Sequence, residues 1–319
     1  MSAFKKWLIV AAVLIVAGIV VCGASATFVK FDFTQFNTVE QELNRYDVDG
    51  DFKDIKVNVD TEDVKLVPVT DGKCYVECLE EKGSHHIVGV NGDTLTIERE
   101  KGETHFVFFA INTESPRVTV YLPKDRYDSL TVESSTGDMN IPGDFVFGNI
   151  ELTTDTGHIE CEASSQGSIR LKASTGDMEL ENITAKDLNL ESSTGDMDID
   201  SVAVSGDVYI KVSTGEVKLR KVTCVGLTTI GSTGDIELID TVASGDMNIE
   251  RDSGEVSFDA SDAANIYVKT TTGEVTGKLL TEKIFLTETD TGDVSVPKTA
   301  SGGRCEITTD TGDIEIDIK

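Results

Sequence analysis

Apolar and polar side chains alternate in short runs along most of the chain, and these runs recur with a fixed period. Apolar residues lie two and usually four positions after a recurring glycine, and a second apolar pair lies seven and five positions before it. Alternation with a period of two is typical of a β-strand with one buried face. Each period therefore predicts two strands joined at a Thr-Gly-Asp corner. The recurring glycines are Gly137, Gly157, Gly176, Gly195, Gly215, Gly234, Gly254, Gly273, Gly292 and Gly312.

The spacing of these glycines is always 19 or 20 residues. A hairpin meander tolerates loops of variable length, whereas stacked coils must keep nearly the same perimeter so that equivalent side chains meet. The sequence therefore predicts an all-β fold, a single-stranded β-solenoid of 19–20-residue coils. A glycine fixed at one place between strands indicates a positive φ or a close contact between coils, because a Cβ would oppose either.

The periodic pattern divides the chain. Upstream, Thr61-Glu62-Asp63 repeats the corner with Glu62 in the glycine position, and the following stretch is rich in strand signals but not periodic. We expect a cytoplasmic stub and membrane segment over residues 1–29, a linker over 30–50, an irregular β capping region over 51–129 and solenoid repeats over 130–319.

The amino-terminal segment has Lys5 and Lys6 followed by 23 uncharged residues, 7–29. A helix of that length reaches across the roughly 30 Å hydrocarbon core of a bilayer. Basic residues before it and acidic chain after it predict a single-pass cell-membrane protein with residues 30–319 outside the cytoplasm. Ala24-Ser25-Ala26 also fits a cleavage site, so the segment is either an uncleaved anchor or a signal peptide, and its length favours the anchor.

The formal charge of −29 is spread through the periodic segments rather than concentrated in a tail. Such an acidic surface repels nucleic acids and anionic lipid headgroups. The expected partners are the bilayer, through residues 7–29, and an envelope protein or glycan that the sequence does not name.

Several segments resemble a known family. The amino-terminal anchor, Thr-Glu-Asp-Val-Lys-Leu at 61–66 and serial units such as Ser-Thr-Gly-Asp-Met-Glu-Leu at 174–180 are similar to the bacterial putative-adhesin family of β-strand-repeat proteins, a domain of unknown function found in cell envelopes. The resemblance covers about residues 50–319 and rests on a repeat consensus. It implies an architecture and an envelope location, but fold does not fix function.

Catalytic motifs are absent from the sequence. His85 and His86 are adjacent and would point to opposite faces of a strand, and His105 and His158 lie elsewhere. No metalloprotease, P-loop or nucleophile-elbow pattern occurs. The periods are too short for the long loops from which β-helix polysaccharide enzymes build their clefts. The sequence therefore predicts a protein that is not an enzyme.

The cysteines also predict structural roles. Cys74 and Cys78 are four residues apart, about 13 Å along a strand, which is beyond disulfide reach. Cys161 and Cys305 occupy core-facing positions far apart in the repeat. Free, buried thiols are expected.

Acidic residues follow nearly every corner glycine, so stacked coils would place carboxylates about 5 Å apart. Like charges at that distance repel, and a bound cation would relieve the repulsion. Asp177, Asp196, Glu216 and Asp235 are therefore candidate ligands of a Ca²⁺ ladder, and no other cofactor is expected. The alternative is a solvated turn, because Ca²⁺ takes 6–8 oxygen ligands and a single file supplies few.

Three functions remain compatible with the sequence: a structural or adhesive module of the envelope, an accessory or sensory subunit of an envelope-stress response, and a carbohydrate-active β-helix enzyme. The first is favoured. The chain stops in the strand-like segment 313–319. A final coil there would expose unpaired backbone groups, and we expect weak end-to-end self-association.

Overall fold

The computed structural model describes residues 14, 15, 18, 40–100 and 114–319. The segment predicted to be an anchor, 7–29, lies outside this description except for Leu14, Ile15 and Gly18, which are helical. In the described part of the chain, no helix combines the length and the apolar character needed to cross a membrane. The anchor stays a prediction.

The described chain beyond residue 40 is almost entirely β-structure. The strands before the regular repeats are β1 (Gln41–Val48), β2 (Asp54–Asn58), β3 (Asp63–Pro68), β4 (Cys74–Glu81), β5 (His86–Asn91), β6 (Thr94–Arg99) and β7 (Arg117–Leu122). The next strands are β8 (Arg126–Thr136), β9 (Met139–Ile141), β10 (Val146–Thr156), β11 (Ile159–Cys161), β12 (Ser164–Ser165), β13 (Ser168–Thr175), β14 (Met178–Glu181), β15 (Thr184–Ala185), β16 (Asp187–Thr194), β17 (Met197–Asp200), β18 (Ala203–Val204), β19 (Val208–Thr214), β20 (Val217–Arg220) and β21 (Thr223–Cys224). The remaining strands are β22 (Leu227–Thr233), β23 (Ile236–Ile239), β24 (Val242–Ser253), β25 (Val256–Thr272), β26 (Val275–Leu279), β27 (Lys283–Thr291), β28 (Val294–Ser295), β29 (Gly303–Thr311) and β30 (Ile314–Ile318).

The all-β solenoid predicted from the glycine period is confirmed. In one coil, the long strand β16 leads through the Thr-Gly-Asp corner to the shorter β17, and each pairs in parallel with its equivalents in the coils before and after. We call the sheet that includes β8, β10, β13, β16, β19 and β22 the long-strand face. The sheet that includes β9, β11, β14, β17, β20 and β23 is the short-strand face.

A third, two-residue strand completes each central coil and was not predicted. It follows a second corner, where one residue per coil adopts φ between 47° and 57°. These residues are Asn182, Ser201, Lys221, Asp240 and Ala260, each six positions after the corner glycine. Because their side chains differ in chemistry, the sequence shows no repeated signal there, although left-handed φ is unfavourable for residues with a Cβ.

The glycine corner shows both constraints expected of it. Nine of the ten recurring glycines have φ between 124° and 155°. A Cβ built on Gly195 would lie 2.1 Å from the carbonyl oxygen of Gly176, one coil away, and Gly157 stands in the same relation to Gly137. Consecutive corners therefore stack backbone on backbone, and no side chain fits between them.

Inward side chains form one continuous core from Phe52 to Ile316. Leu171, Leu190 and Ile210 are neighbours in register on the long-strand face, and none is exposed to solvent. Cys161 and Cys305 lie in this core, and the five cysteines of residues 40–319 are free thiols, as predicted.

At the amino-terminal end, the order of coils in space differs from their order in the chain. The coil of β2 and β3 lies between the coil of β6 and β7 and that of β8 and β9. Antiparallel strands then cover the outer coil, because β5 pairs with β6, β4 pairs with β7, and β1 pairs with β4. The capping region is thus partly solenoid and partly antiparallel cover.

Residues 30–50, expected to form a linker, include strand β1. Gln41–Val48 pairs along its whole length with β4, and Tyr46 and Val48 pack against the core. Leu43 on the same strand is exposed. The alternation of apolar side chains was too irregular to show this strand, which is held mainly by its backbone pairing.

The carboxyl-terminal end is also reordered. Strand β29 lies between β25 and β27, and β30 lies between β26 and β28. The interpretation of segment 313–319 as a free terminal coil is therefore wrong, since parallel neighbours occupy both of its edges. The outermost coil is formed by β27 and β28, each of which pairs on one side only within the described chain.

Candidate functional site

The four residues predicted to bind calcium occupy one column. Each follows a corner glycine and lies at the start of the short-strand face, one per coil. We call Asp177, Asp196, Glu216 and Asp235 the acidic ladder. The structure thus brings all four predicted residues together.

Hydrogen bonds explain why aspartate is common in the ladder. The amides of Gly176 and Met178 donate to backbone carbonyls of the next coil, which leaves the amide between them without such a partner. Asp177 Oδ1 accepts the amide of Asp196, and Asp196 Oδ1 accepts that of Glu216, each at 2.8 Å. Each aspartate therefore satisfies a corner amide of the following coil.

Glu216 behaves differently because its side chain is longer. Its Oε1 lies 3.3 Å from Lys218 Nζ, which also lies 2.9 Å from Glu237 Oε2. The ladder borders a surface depression of about 230 Å³ that these side chains share with neighbouring acids. A calcium ion there would share carboxylates that already bind an amide or a lysine, and calcium binding stays a prediction.

Unpaired acids cover part of the short-strand face. Glu160 and Glu179 are adjacent in register on β11 and β14, and Glu162 and Glu181 lie two residues farther along the chain. We call these four the acidic patch. Within residues 40–100 and 114–319, none of these four acids lies in a salt bridge, and the lysine and arginine pairs of this face belong to later coils, where Arg220 binds Asp198 at 2.6 Å. The patch therefore keeps its charge uncompensated.

Two of the three described histidines meet at one carboxylate, and the third lies elsewhere. His85 is partly exposed, and its Nδ1 lies 3.1 Å from Glu80 Oε1. His86 is buried, and its Nδ1 lies 2.5 Å from Glu80 Oε2, so both rings contact one carboxylate. The expectation that these neighbours would point to opposite faces of a strand does not hold, because His85 precedes β5. His158 takes an acid's place in the stack and accepts the amide of Asp177 through Nδ1. His105 lies outside the described residues.

Sequence reasoning missed a group of buried polar residues under the antiparallel cover. Cys78 and Glu80 lie on the same face of β4, His86 begins β5, and Glu62 lies in the corner between β2 and β3. We call Glu62, Cys78, Glu80 and His86 the cap cluster. The signal that could have revealed it was Glu62, an acid in a position that glycine otherwise fills.

The cap cluster has unusual electrostatics. Burial alone would raise the pKa of Glu80, but hydrogen bonds from His86, Asn44, His85 and Tyr46 outweigh this effect and hold the pKa below its usual range. Burial and the nearby carboxylates raise the pKa of the Cys78 thiol. Glu80 is therefore ionised in a nearly dry site.

A comparison of the sequence with models of protein families finds a match that covers the stacked repeats. The model of the family described as Toastrack DUF4097 matches residues 52–208 and 204–319. The chain belongs to the Toastrack DUF4097 family. The putative-adhesin resemblance inferred from the repeats is thereby confirmed. No curated protein matches this Toastrack chain.

Solved structures with a similar fold include proteins from Parabacteroides and Bacteroides species. A putative adhesin from Parabacteroides distasonis is 11% identical over 88% of the Toastrack chain and 98% of its own, with a TM-score of 0.49. A putative lipid binding protein from the same species is 14% identical over 88% and 98%, with a TM-score of 0.48. A putative adhesin from Bacteroides fragilis is 13% identical over 87% and 97%, with a TM-score of 0.37. Likeness at this level carries no functional argument.

Proposed function

We propose that this Toastrack chain is an interaction module of the bacterial cell envelope that binds a basic segment of an envelope protein through its short-strand face. The acidic patch carries the proposal. Glu160, Glu179 and Glu181 project from strands β11 and β14, whose inward side chains are fully buried, and Glu162 directly follows β11, so the charges are held in a fixed array. Fixed charges of one sign attract a cationic partner and set its orientation.

The long-strand face provides the contrast. There Glu191 lies in register between Lys172 and Lys211, so opposite charges alternate down the column. On the short-strand face, Glu160 and Glu179 are neighbours of like sign. The two faces therefore differ in charge pattern although they share one backbone scaffold, and only the short-strand face is suited to a basic partner.

The proposed activity is binding rather than catalysis. Between β10 and β28 every connection between consecutive strands has three residues or fewer, so this region offers flat faces and tight corners. A catalytic cleft requires converging titratable groups held around a concave pocket. A flat, charged surface suits an extended partner instead.

The proposal includes the membrane segment. Residues 7–29 would hold the solenoid at the outer surface of the cytoplasmic membrane, where the positive-inside bias places it. Protease added to intact spheroplasts should digest the solenoid, and full protection would contradict this topology. A mature protein that begins at Thr27 would show cleavage instead of anchoring.

Binding through the acidic patch can be tested with a lysine-rich peptide titrated into the purified chain. We expect the combined substitutions Glu160→Gln, Glu162→Gln, Glu179→Gln and Glu181→Gln to weaken binding at least about tenfold, which is ~1.4 kcal/mol. Calorimetry at fixed ionic strength provides the measurement.

The matched control changes the net charge equally on the long-strand face, through Glu133→Gln, Glu151→Gln, Glu191→Gln and Glu250→Gln. This variant should bind within about twofold of the wild type, because its acids do not face the peptide. Equal losses in both variants would mean that net charge alone attracts the peptide. That result would contradict a defined binding face.

A further inference from the structure

The cap cluster combines donors from three separate parts of the chain. Glu62 belongs to a solenoid corner, whereas Cys78, Glu80 and His86 belong to the antiparallel cover. All four side chains are more than nine-tenths buried. Since Gly137 stacks against the carbonyl of Glu62, this corner is part of the regular column of coils.

Glu80 fixes the orientation of His86. Glu80 Oε2 lies 2.5 Å from His86 Nδ1 and accepts the backbone amide of His86 at 3.0 Å. Glu80 Oε1 accepts hydrogen bonds from Asn44 and Tyr46. Because the carboxylate can only accept, Nδ1 carries a proton and donates it to Glu80.

The other ring nitrogen, His86 Nε2, has no hydrogen-bond partner although it is buried. It lies 3.5 Å from Glu62 Oε1, while Glu62 Oε2 accepts the amides of Asp60 and Thr61. With Nδ1 protonated, a neutral ring directs the Nε2 lone pair towards the carboxylate. Two electron-rich atoms that face each other in a dry site require a cation between them.

A metal ion fits this spacing. Two ligands that are each about 2.1 Å from zinc at a tetrahedral angle lie about 3.4 Å apart. A proton on Nε2 would instead have to reach across 3.5 Å, which is longer than an ordinary hydrogen bond. A carboxylate that holds the far nitrogen of a histidine ligand, as Glu80 does, is the usual outer partner in zinc sites.

Cys78 can supply a third donor if its side chain turns towards Glu62, because Glu62 is not among the mutually close ligand atoms around this thiol. One ligand atom from each of Cys78, Glu80 and His86 lies within 4.8 Å of the others. Thiolate, imidazole and carboxylate together favour zinc over calcium or magnesium, which bind oxygen ligands.

We propose that His86 Nε2 and Glu62 bind a structural zinc ion, with the Cys78 side chain turning in as the third ligand and Glu80 positioning His86. The ion would join the antiparallel cover to the first solenoid corner. Because the ligands come from both parts, binding stabilises the covered end by mass action.

The test uses the full-length protein in detergent, stripped with a chelator and then titrated with Zn²⁺ and Co²⁺. We expect a single zinc ion per chain after gel filtration and a thiolate-to-cobalt charge-transfer band. His86→Gln and Cys78→Ser should each reduce zinc affinity at least tenfold, whereas His158→Gln and Cys161→Ser, which lie away from the cap cluster, should leave it unchanged.

Two results would overturn the proposal. Wild-type protein that retains no zinc would place a proton, not a metal, between His86 and Glu62. Zinc retained equally by His86→Gln would assign the binding to surface acids. The cobalt band of the wild type decides thiolate ligation even if a variant fails to fold, and its absence would remove Cys78 from the site.

Discussion

Both ends of the solenoid have a coil inserted out of chain order, but only the amino-terminal end is covered by antiparallel strands. At each end, a coil from elsewhere in the chain is inserted between neighbours, so that β2–β3 and β29–β30 are internal. The amino-terminal coil is then covered, because β5 pairs with β6 and β4 with β7. The carboxyl-terminal coil of β27 and β28 has no such cover among the described residues, and Leu280, Ile284, Leu286 and Val294 are exposed there.

This difference concerns the unpaired backbone groups on the outermost coil at each end of the solenoid. Parallel coils always leave unpaired backbone groups at both ends, and such edges invite pairing with another chain. At the amino-terminal end antiparallel strands cover the edges of the outer coil, so that the outermost strands of the described chain there are the antiparallel β1 and β5. At the carboxyl-terminal end, the edge of β27 and β28 is left to pair with a second copy of the chain, or to be kept apart from it by charge repulsion or by another molecule.

The largest expected effect compares equivalent inward positions on the two outer coils. Ile97 on β6 is fully buried, whereas Thr287 on β27 is partly exposed. Ile97→Asp should lower the free energy of unfolding by about 3–5 kcal/mol, because it leaves an unpaired buried charge. Thr287→Asp should cost less than about 1 kcal/mol. Urea denaturation provides the measurement, and equal costs would contradict the description of a covered and a bare end.

Replacing a corner glycine by alanine should destabilise a central coil more than the outermost carboxyl-terminal coil, by a smaller margin than in the first comparison. In Gly195→Ala the new Cβ would meet the Gly176 carbonyl of a coil fixed on both sides. We expect a loss of about 2–3 kcal/mol in the free energy of unfolding. Gly292→Ala should cost less, because the outermost coil can move away from Gly312. A larger cost at Gly292 in thermal or urea denaturation would argue against this freedom.

Self-association should depend on the uncovered carboxyl-terminal coil of β27 and β28. We expect the chain to form weak dimers through the free edge of β27 at high protein concentration, and more readily as salt screens its net charge of −29. Leu286→Lys should weaken the dimer by about tenfold. The matched change Ile87→Lys, an exposed apolar residue at the covered end, should not. Sedimentation that shows only monomer at high salt would refute the prediction.

The smallest expected effect concerns calcium at the acidic ladder, which lies between the two ends. If the ladder captures Ca²⁺, millimolar Ca²⁺ should raise the melting temperature above the value in Na⁺ at matched ionic strength. Asp177→Asn, Asp196→Asn, Glu216→Gln and Asp235→Asn together should abolish this increment. The asparagines keep the Oδ1 acceptors that bind the corner amides. No difference between the cations would leave the ladder a structural feature.

The glycine period was sufficient to predict coils, inward faces and the stacking of the acidic ladder, because each depends on local alternation and a fixed perimeter. The second corner was not predictable, since Asn182, Ser201 and Lys221 adopt similar φ with unrelated side chains. Asn182 and Asp240 are of the types that adopt left-handed φ readily, whereas Ser201, Lys221 and Ala260 are not, so propensity alone does not account for the corner.

The order of the end coils was also beyond sequence reasoning. Strands β27 and β29 carry similar patterns, and either could pair with β25, so local sequence does not distinguish the two arrangements. The cap cluster was missed for a related reason. Glu62 and His86 are far apart in the chain, and only the insertion of β2–β3 beneath the cover brings them together.

Paired cysteines at the carboxyl-terminal end test the reordered stack most directly. Lys269 is in register with Thr308, and Thr308 with Glu288. Neighbouring strands are about 4.8 Å apart, within disulfide reach, whereas strands two coils apart are not. We predict that Lys269→Cys with Thr308→Cys forms a disulfide under mild oxidation and that Lys269→Cys with Glu288→Cys does not. The reverse result would show that the coils stack in chain order.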